Sequence, residues 1–99
     1  MNVDKITIYN NGTYLEIYPK EKKVLVDDKT LPIETETVKE LIRIIRGWKS
    51  EYSDNSFLDG PRFEVKVYSE DDVITFRGVR GVPENYYDFT ELVRRINGK

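Results

Sequence analysis

Close carboxylate pairs, a glycine-flanked arginine and seven tyrosines are the residues of this 99-residue chain whose types and spacing could do chemistry. Paired acids can divide general-acid and general-base roles when burial separates their pKa values, and Asp27/Asp28, Glu34/Glu36 and Asp71/Asp72 are such pairs. All of them fall in turn-forming sequence or at a helix start. Asp favours turns and Glu complements a helix N-terminus, so they read as solvated acids. With no D-x-D-x-D-G loop, no metal site is expected. Gly78-Val79-Arg80-Gly81 follows a strand pattern and precedes a helix pattern, where phosphate-binding loops sit. It lacks both the G-x-G-x-x-G spacing and a G-K-[ST] sequence. The glycines therefore read as permitting a tight loop, with Arg80 at its tip as the best single contact for an anion or carboxylate.

The chain has no histidine and no cysteine. That double absence removes the thiol nucleophile, the imidazole base and the Cys/His zinc or haem site, which are the commonest catalytic constellations. A protein without catalytic residues or cofactor is the expectation; the competing one is a small enzyme using carboxylates and Arg80. Net charge is −2 with 34% charged residues, and Lys/Arg equal Asp/Glu in number across residues 61–99. Nucleic-acid binding normally needs a basic excess on some segment, so it is disfavoured. Absence of cysteine suits a reducing compartment. The opening MNVDKITIYN lacks the basic and apolar regions of a signal peptide, and no apolar run approaches the ~20 residues of a membrane span. A cytoplasmic protein with no membrane partner is expected.

Asn11-Gly12 is the strongest local signal, since both central residues of a type I′ turn need φ > 0. A two-residue hairpin there pairs Tyr9 with Tyr14, Ile8 with Leu15, Thr7 with Glu16, Ile6 with Ile17 and Lys5 with Tyr18. Ile6, Ile8, Leu15 and Ile17 then share one face, and Tyr9, Tyr14 and Tyr18 the other. Pro19 ends the second strand, Val24–Val26 supplies a third, and Pro32 stops extended structure. Val38, Leu41, Ile42, Ile45, Trp48 and Tyr52 recur at helical spacing after a cap at Thr35 or Thr37, with Thr37 to Glu40 spaced as a capping box. Ile44 lies at the edge of that stripe. Asp59-Gly60-Pro61 precedes a second hairpin, in which Phe63, Val65, Val67, Ile74 and Phe76 face inward and Tyr68 outward. Pro83, near the first helical turn, then precedes a second amphipathic helix carrying Tyr86, Phe89, Leu92, Val93 and Ile96, closed by Asn97-Gly98.

The expected fold is a single α+β domain over residues 1–99, a two-layer sandwich of order ββ(β)αββα. Its sheet is mainly antiparallel, and both helices lie on one face because the strands alternate rather than run solidly apolar. If nothing covers the other face, Tyr9, Tyr14, Tyr18 and Tyr68 form an aromatic and charged platform suited to a protein partner, a second copy of the chain included.

From Asp59 to Ile96 the sequence resembles small uncharacterised proteins of Gram-positive bacteria and their phages: Asp-Gly before a strand, Gly78 closing the next, then Pro83-Glu84-Asn85 and Phe89 in the last helix. Some such proteins are similar to immunity proteins that neutralise toxins. The resemblance implies a binding module, an inhibitor or immunity-type protein acting by surface occlusion. A phage-encoded anti-defence protein is the alternative from the same class.

Overall fold

The computed structural model describes residues 3–53 and 61–98. In chain order the elements are β1 (Val3–Asn10), β2 (Thr13–Tyr18), a single 3-10 turn (Pro19–Glu21), β3 (Lys23–Val26), β4 (Lys29–Pro32), α1 (Thr35–Ile45), β5 (Glu51–Ser53), β6 (Arg62–Ser69), β7 (Asp72–Val79) and α2 (Tyr86–Ile96). One sheet of order β4-β3-β2-β1-β6-β7-β5 takes in all seven strands, antiparallel throughout except for the β5–β7 pair. This is an α+β fold. Among the described residues no helix is long and apolar enough to cross a membrane.

Turn chemistry sets the register. Asn11 (φ 48°) and Gly12 (φ 91°) both take the left-handed region, so the β1–β2 turn is of the I′ kind and pairs Ile6–Ile17 through Asn10–Thr13 as the alternation requires. Asp27 (φ 47°) and Asp28 (φ 64°) repeat that geometry between β3 and β4, with Val26 opposite Lys29. Acids at these positions are there for the turn, since a short side chain tolerates φ > 0. The β4 strand is an addition to the expected order, and Pro32 is its last residue, so extended structure does stop there. Proline lacks the donor of an interior ladder, but β4 is an edge, where that donor would have no strand to meet.

Inward positions of β1, β2, β3 and β6 meet both helices in one apolar cluster. Ile6, Ile8, Leu15, Ile17 and Val65 come from the sheet, Val38, Leu41 and Ile45 from α1, and Phe89, Leu92, Val93 and Ile96 from α2. The 3–4 residue spacing of the helical members is what one stripe of a helix against a sheet demands. Phe89 sits at the aromatic centre, 5.0 Å from Trp48, 6.0 Å from Tyr86 and 6.3 Å from Phe63 by ring centroids. Ile44 packs against the cluster's margin, as its place beside the stripe implies.

Three expectations are corrected. Helix α1 ends at Ile45, so Trp48 lies beyond it and Tyr52 belongs to β5; the helical spacing continues in sequence, but the chain turns at Arg46 and Gly47. The Thr37–Glu40 capping box does not form, because the helix starts at Thr35 with Glu34 as its N-cap residue and Thr37 donates its N–H to the Glu34 carbonyl at 3.1 Å. Ile74 shares the inward side of β7 yet is 49% exposed, since no described element covers that end of the strand. The turn expected at Asp59-Gly60 lies outside the described residues.

Gly78 and Gly81 are also not what their spacing indicated. Gly78 and Val79 are strand residues of β7, and Arg80 forms an isolated bridge with Ser53. Neither glycine takes a positive φ. Both are there for close approach: a Cβ on Gly78 would stand 2.3 Å from Phe63 Cε1 and 2.5 Å from the Gly81 carbonyl oxygen, and one on Gly81 would stand 2.7 Å from the Ser53 nitrogen.

Candidate docking face

Strand alternation sends Lys5, Thr7 and Tyr9 of β1, Tyr14, Glu16 and Tyr18 of β2, and Glu64, Lys66 and Tyr68 of β6 to the side of the sheet opposite the Ile6/Ile8 cluster. The register sets Tyr9 between Tyr14 and Glu64, Thr7 between Glu16 and Lys66, and Lys5 against Tyr68. The next strand adds Val73 beside Tyr68 and Arg77 beside Glu64. Tyr9 (40% exposed), Tyr14 (49%) and Val73 (48%) present apolar surface to solvent. Thr7, by contrast, is buried among its neighbours, so the face has a filled centre.

Several of its side chains are held before any partner arrives. The Tyr18 hydroxyl donates to Glu16 Oε2 at 2.6 Å. Lys5 Nζ lies 4.8 Å above the Tyr68 ring and Lys23 Nζ 5.4 Å above the Tyr18 ring, within the ~6 Å reach of cation–π attraction. Lys66 and Glu64 approach to 3.8 Å. Each such contact at a solvated site is worth about 1 kcal/mol or less, but together they restrict rotamers that a docking partner would otherwise have to order.

Glu16 is the electrostatic hub. The hydrogen bond to Glu16 is the main cause that raises the Tyr18 phenol above its ordinary 10.0, whereas Tyr14 is raised chiefly by burial and then by the negative charge of Glu16 and the proximity of Tyr68. A raised folded-state value means that the fold favours the neutral phenol. That contribution is complete below the unfolded value of about 10 and is lost as pH climbs through the folded one. Glu16→Gln is therefore expected to move phenolate formation at Tyr18 and Tyr14 to lower pH, read by near-ultraviolet absorbance titration. Unchanged titration in that variant would remove Glu16 from the hub.

Of the residues singled out in the sequence, Tyr9, Tyr14, Tyr18 and Tyr68 come together on this face. Arg80 follows the end of β7 in the left-handed region (φ 64°), its backbone N–H donated to the Pro61 carbonyl at 2.8 Å. It lies three residues beyond Arg77, which shares a row with Glu64 and Tyr9, and seven residues, roughly 23 Å at strand rise, from Val73 opposite Tyr68. The carboxylate pairs are likewise apart, at the β3–β4 turn, the start of α1 and the β6–β7 turn. Among the described residues no three acids gather where they could hold a metal ion.

The signal that could have found the lysine–tyrosine contacts is in the sequence only in part. Lys5 is outward-facing by alternation, but its partner Tyr68 is 63 residues away, and only the β1–β6 pairing joins them. Glu16 was visible as an outward residue flanked at i−2 and i+2 by Tyr14 and Tyr18, a spacing that puts all three in a row on one strand face.

The molecule thus belongs to the α+β class, with a seven-stranded, mostly antiparallel sheet. Comparison with family models, with curated proteins and with solved structures returned no match.

Proposed function

We propose that this chain is a non-catalytic protein-binding module that docks another protein on the tyrosine face, an inhibitor or immunity-type protein acting by occlusion. The fold is read as a two-layer sandwich with both helices on one side. The single observation that carries the reading is the asymmetry of the sheet: one side packs both helices against its apolar residues, while the other exposes Tyr9, Tyr14 and Val73 among partly ordered charges. Tyrosine is favoured at interfaces because it supplies large rigid area plus a hydroxyl at low entropic cost. Dispersal of the carboxylate pairs and Arg80 over separate turns speaks for a binder over an enzyme, since acid–base chemistry needs its groups within reach of one reacting atom. The reading has the protein work in the cytoplasm, which a chain without cysteine suits.

A tagged pull-down from host lysate tests it, run with wild type, Tyr14→Ala, Tyr68→Ala and Arg46→Ala, an exposed residue just past α1, as control. Expected is one stoichiometric protein retained by wild type and the control and lost from both tyrosine variants, each truncation weakening binding by about tenfold or more as central aromatic positions do. A partner retained by all four, or no partner, would overturn the proposal.

A further inference from the structure

A cleft of about 540 Å³ opens where the end of α1 meets the connection from β7 to α2, and none of its lining residues belongs to the tyrosine face. Its size falls within the ~300–1,000 Å³ usual for small-molecule sites. The walls are tied together by polar links. Asn85 accepts the Trp48 indole N–H at 2.6 Å and donates through Nδ2 to the Ile44 carbonyl at 2.8 Å, while the Tyr52 hydroxyl accepts the Lys49 N–H at 2.8 Å. Trp48 is further braced edge-on by Phe63, Phe76 and Phe89 at centroid distances of 5.3, 6.0 and 5.0 Å. Two aromatic rings are thus fixed in the cleft in advance, and Val82, 39% exposed, adds an apolar margin.

Charge decides the kind of ligand. Arg43, Lys49 and Glu84 line the cleft, and none of the three is in an ion pair among the described residues. Among the described residues lining the cleft, two cations stand against one carboxylate, an excess of one positive charge. A neutral aromatic molecule would leave both cations unused. A carboxylate would find in Arg43 a guanidinium able to bind it with two parallel hydrogen bonds. We propose that the cleft binds a small planar aromatic monoanion, its ring system against Trp48 and Tyr52 and its carboxylate at Arg43 and Lys49.

Trp48 is the chain's sole tryptophan, so its indole N–H gives one unambiguous signal in a nitrogen–proton NMR spectrum. The test titrates the full chain with 2-naphthoate and, separately, with the uncharged 2-naphthamide. Expected is a saturable shift of the Trp48 indole signal with naphthoate, and binding of the amide about fivefold weaker, the size of effect that partly solvated ion pairing supplies. Arg43→Gln should weaken naphthoate binding about threefold, while Arg46→Gln, the same change on an exposed arginine outside the cleft, should leave it unaltered. Absence of a saturable Trp48 shift, equal affinity for acid and amide, or equal loss from the two arginine variants would overturn the proposal.

Discussion

Phe89→Ala is expected to be among the most damaging single substitutions in the chain, costing about 3–5 kcal/mol of the ~5–15 kcal/mol by which a domain of this size is stable. Phe89 is fully buried and contacts three other rings, so its removal takes away both the transfer free energy of the side chain and the edge-to-face contacts with Trp48. Collapse into the space is hindered because Trp48 is pinned by Asn85 and Tyr86 by Asn10, whose Oδ1 accepts the phenol hydroxyl at 2.5 Å. A cavity that cannot close costs more than one that can. In thermal unfolding, the loss should lower Tm by roughly 15 °C or more, with the denaturant slope unchanged if the fold is kept. A drop of only a few degrees would show that the aromatic centre is not the keystone of the cluster.

Gly81→Ala is the second large expected effect, and it acts by the opposite route. Nothing is removed; instead the new methyl meets the nitrogen, carbonyl carbon and Cα of Ser53 at 2.7–2.9 Å, and backbone cannot swing aside as the end of a side chain can. The relief available is to push β5 away from β7, breaking the short parallel pairing of Glu51–Ser53 with Arg77–Val79 and the Ser53–Arg80 bridge. A cost near the upper end of the ~1–3 kcal/mol typical of overpacking follows, with hydrogen-exchange protection lost first at β5. Gly78→Ala should cost a similar amount for a different reason: its methyl would meet the Phe63 ring at 2.3 Å, and that ring is 2% exposed with aromatic neighbours on several sides. Wild-type stability in either variant, by urea unfolding, would contradict the close-approach account of this glycine pair.

These glycines show where sequence reading succeeds and where it stops. Asn11-Gly12 was legible because an I′ turn is a local requirement of two residues, and the hairpin register follows from it by counting. From that register came the tyrosine face, without knowledge of the rest of the fold. Helix α2 was legible for the same reason, its apolar spacing and its Asn97-Gly98 end being local. Gly78 and Gly81 were not, because their demand comes from Phe63 and Ser53, which only the completed sheet brings near. The β5–β7 pairing is parallel and non-local, and β5 is three residues long, so neither a turn signal nor a long alternation marks it. Trp48 and Tyr52 misled for a related reason. They sit at helical spacing and do face the core, but they reach it from a loop and a strand, and the cleft they help to line could not be foreseen.

The claim on which the account rests is that the sheet side opposite the helices is the side that meets a partner. Oxidative footprinting of the tyrosines, comparing the purified chain with the same chain in lysate of its native cells, tests that most directly, because Tyr87 on α2 is 73% exposed and serves as an internal reference. The account predicts that Tyr9, Tyr14 and Tyr68 lose reactivity in lysate while Tyr87 keeps it. Face tyrosines as reactive in lysate as in the purified chain would contradict it.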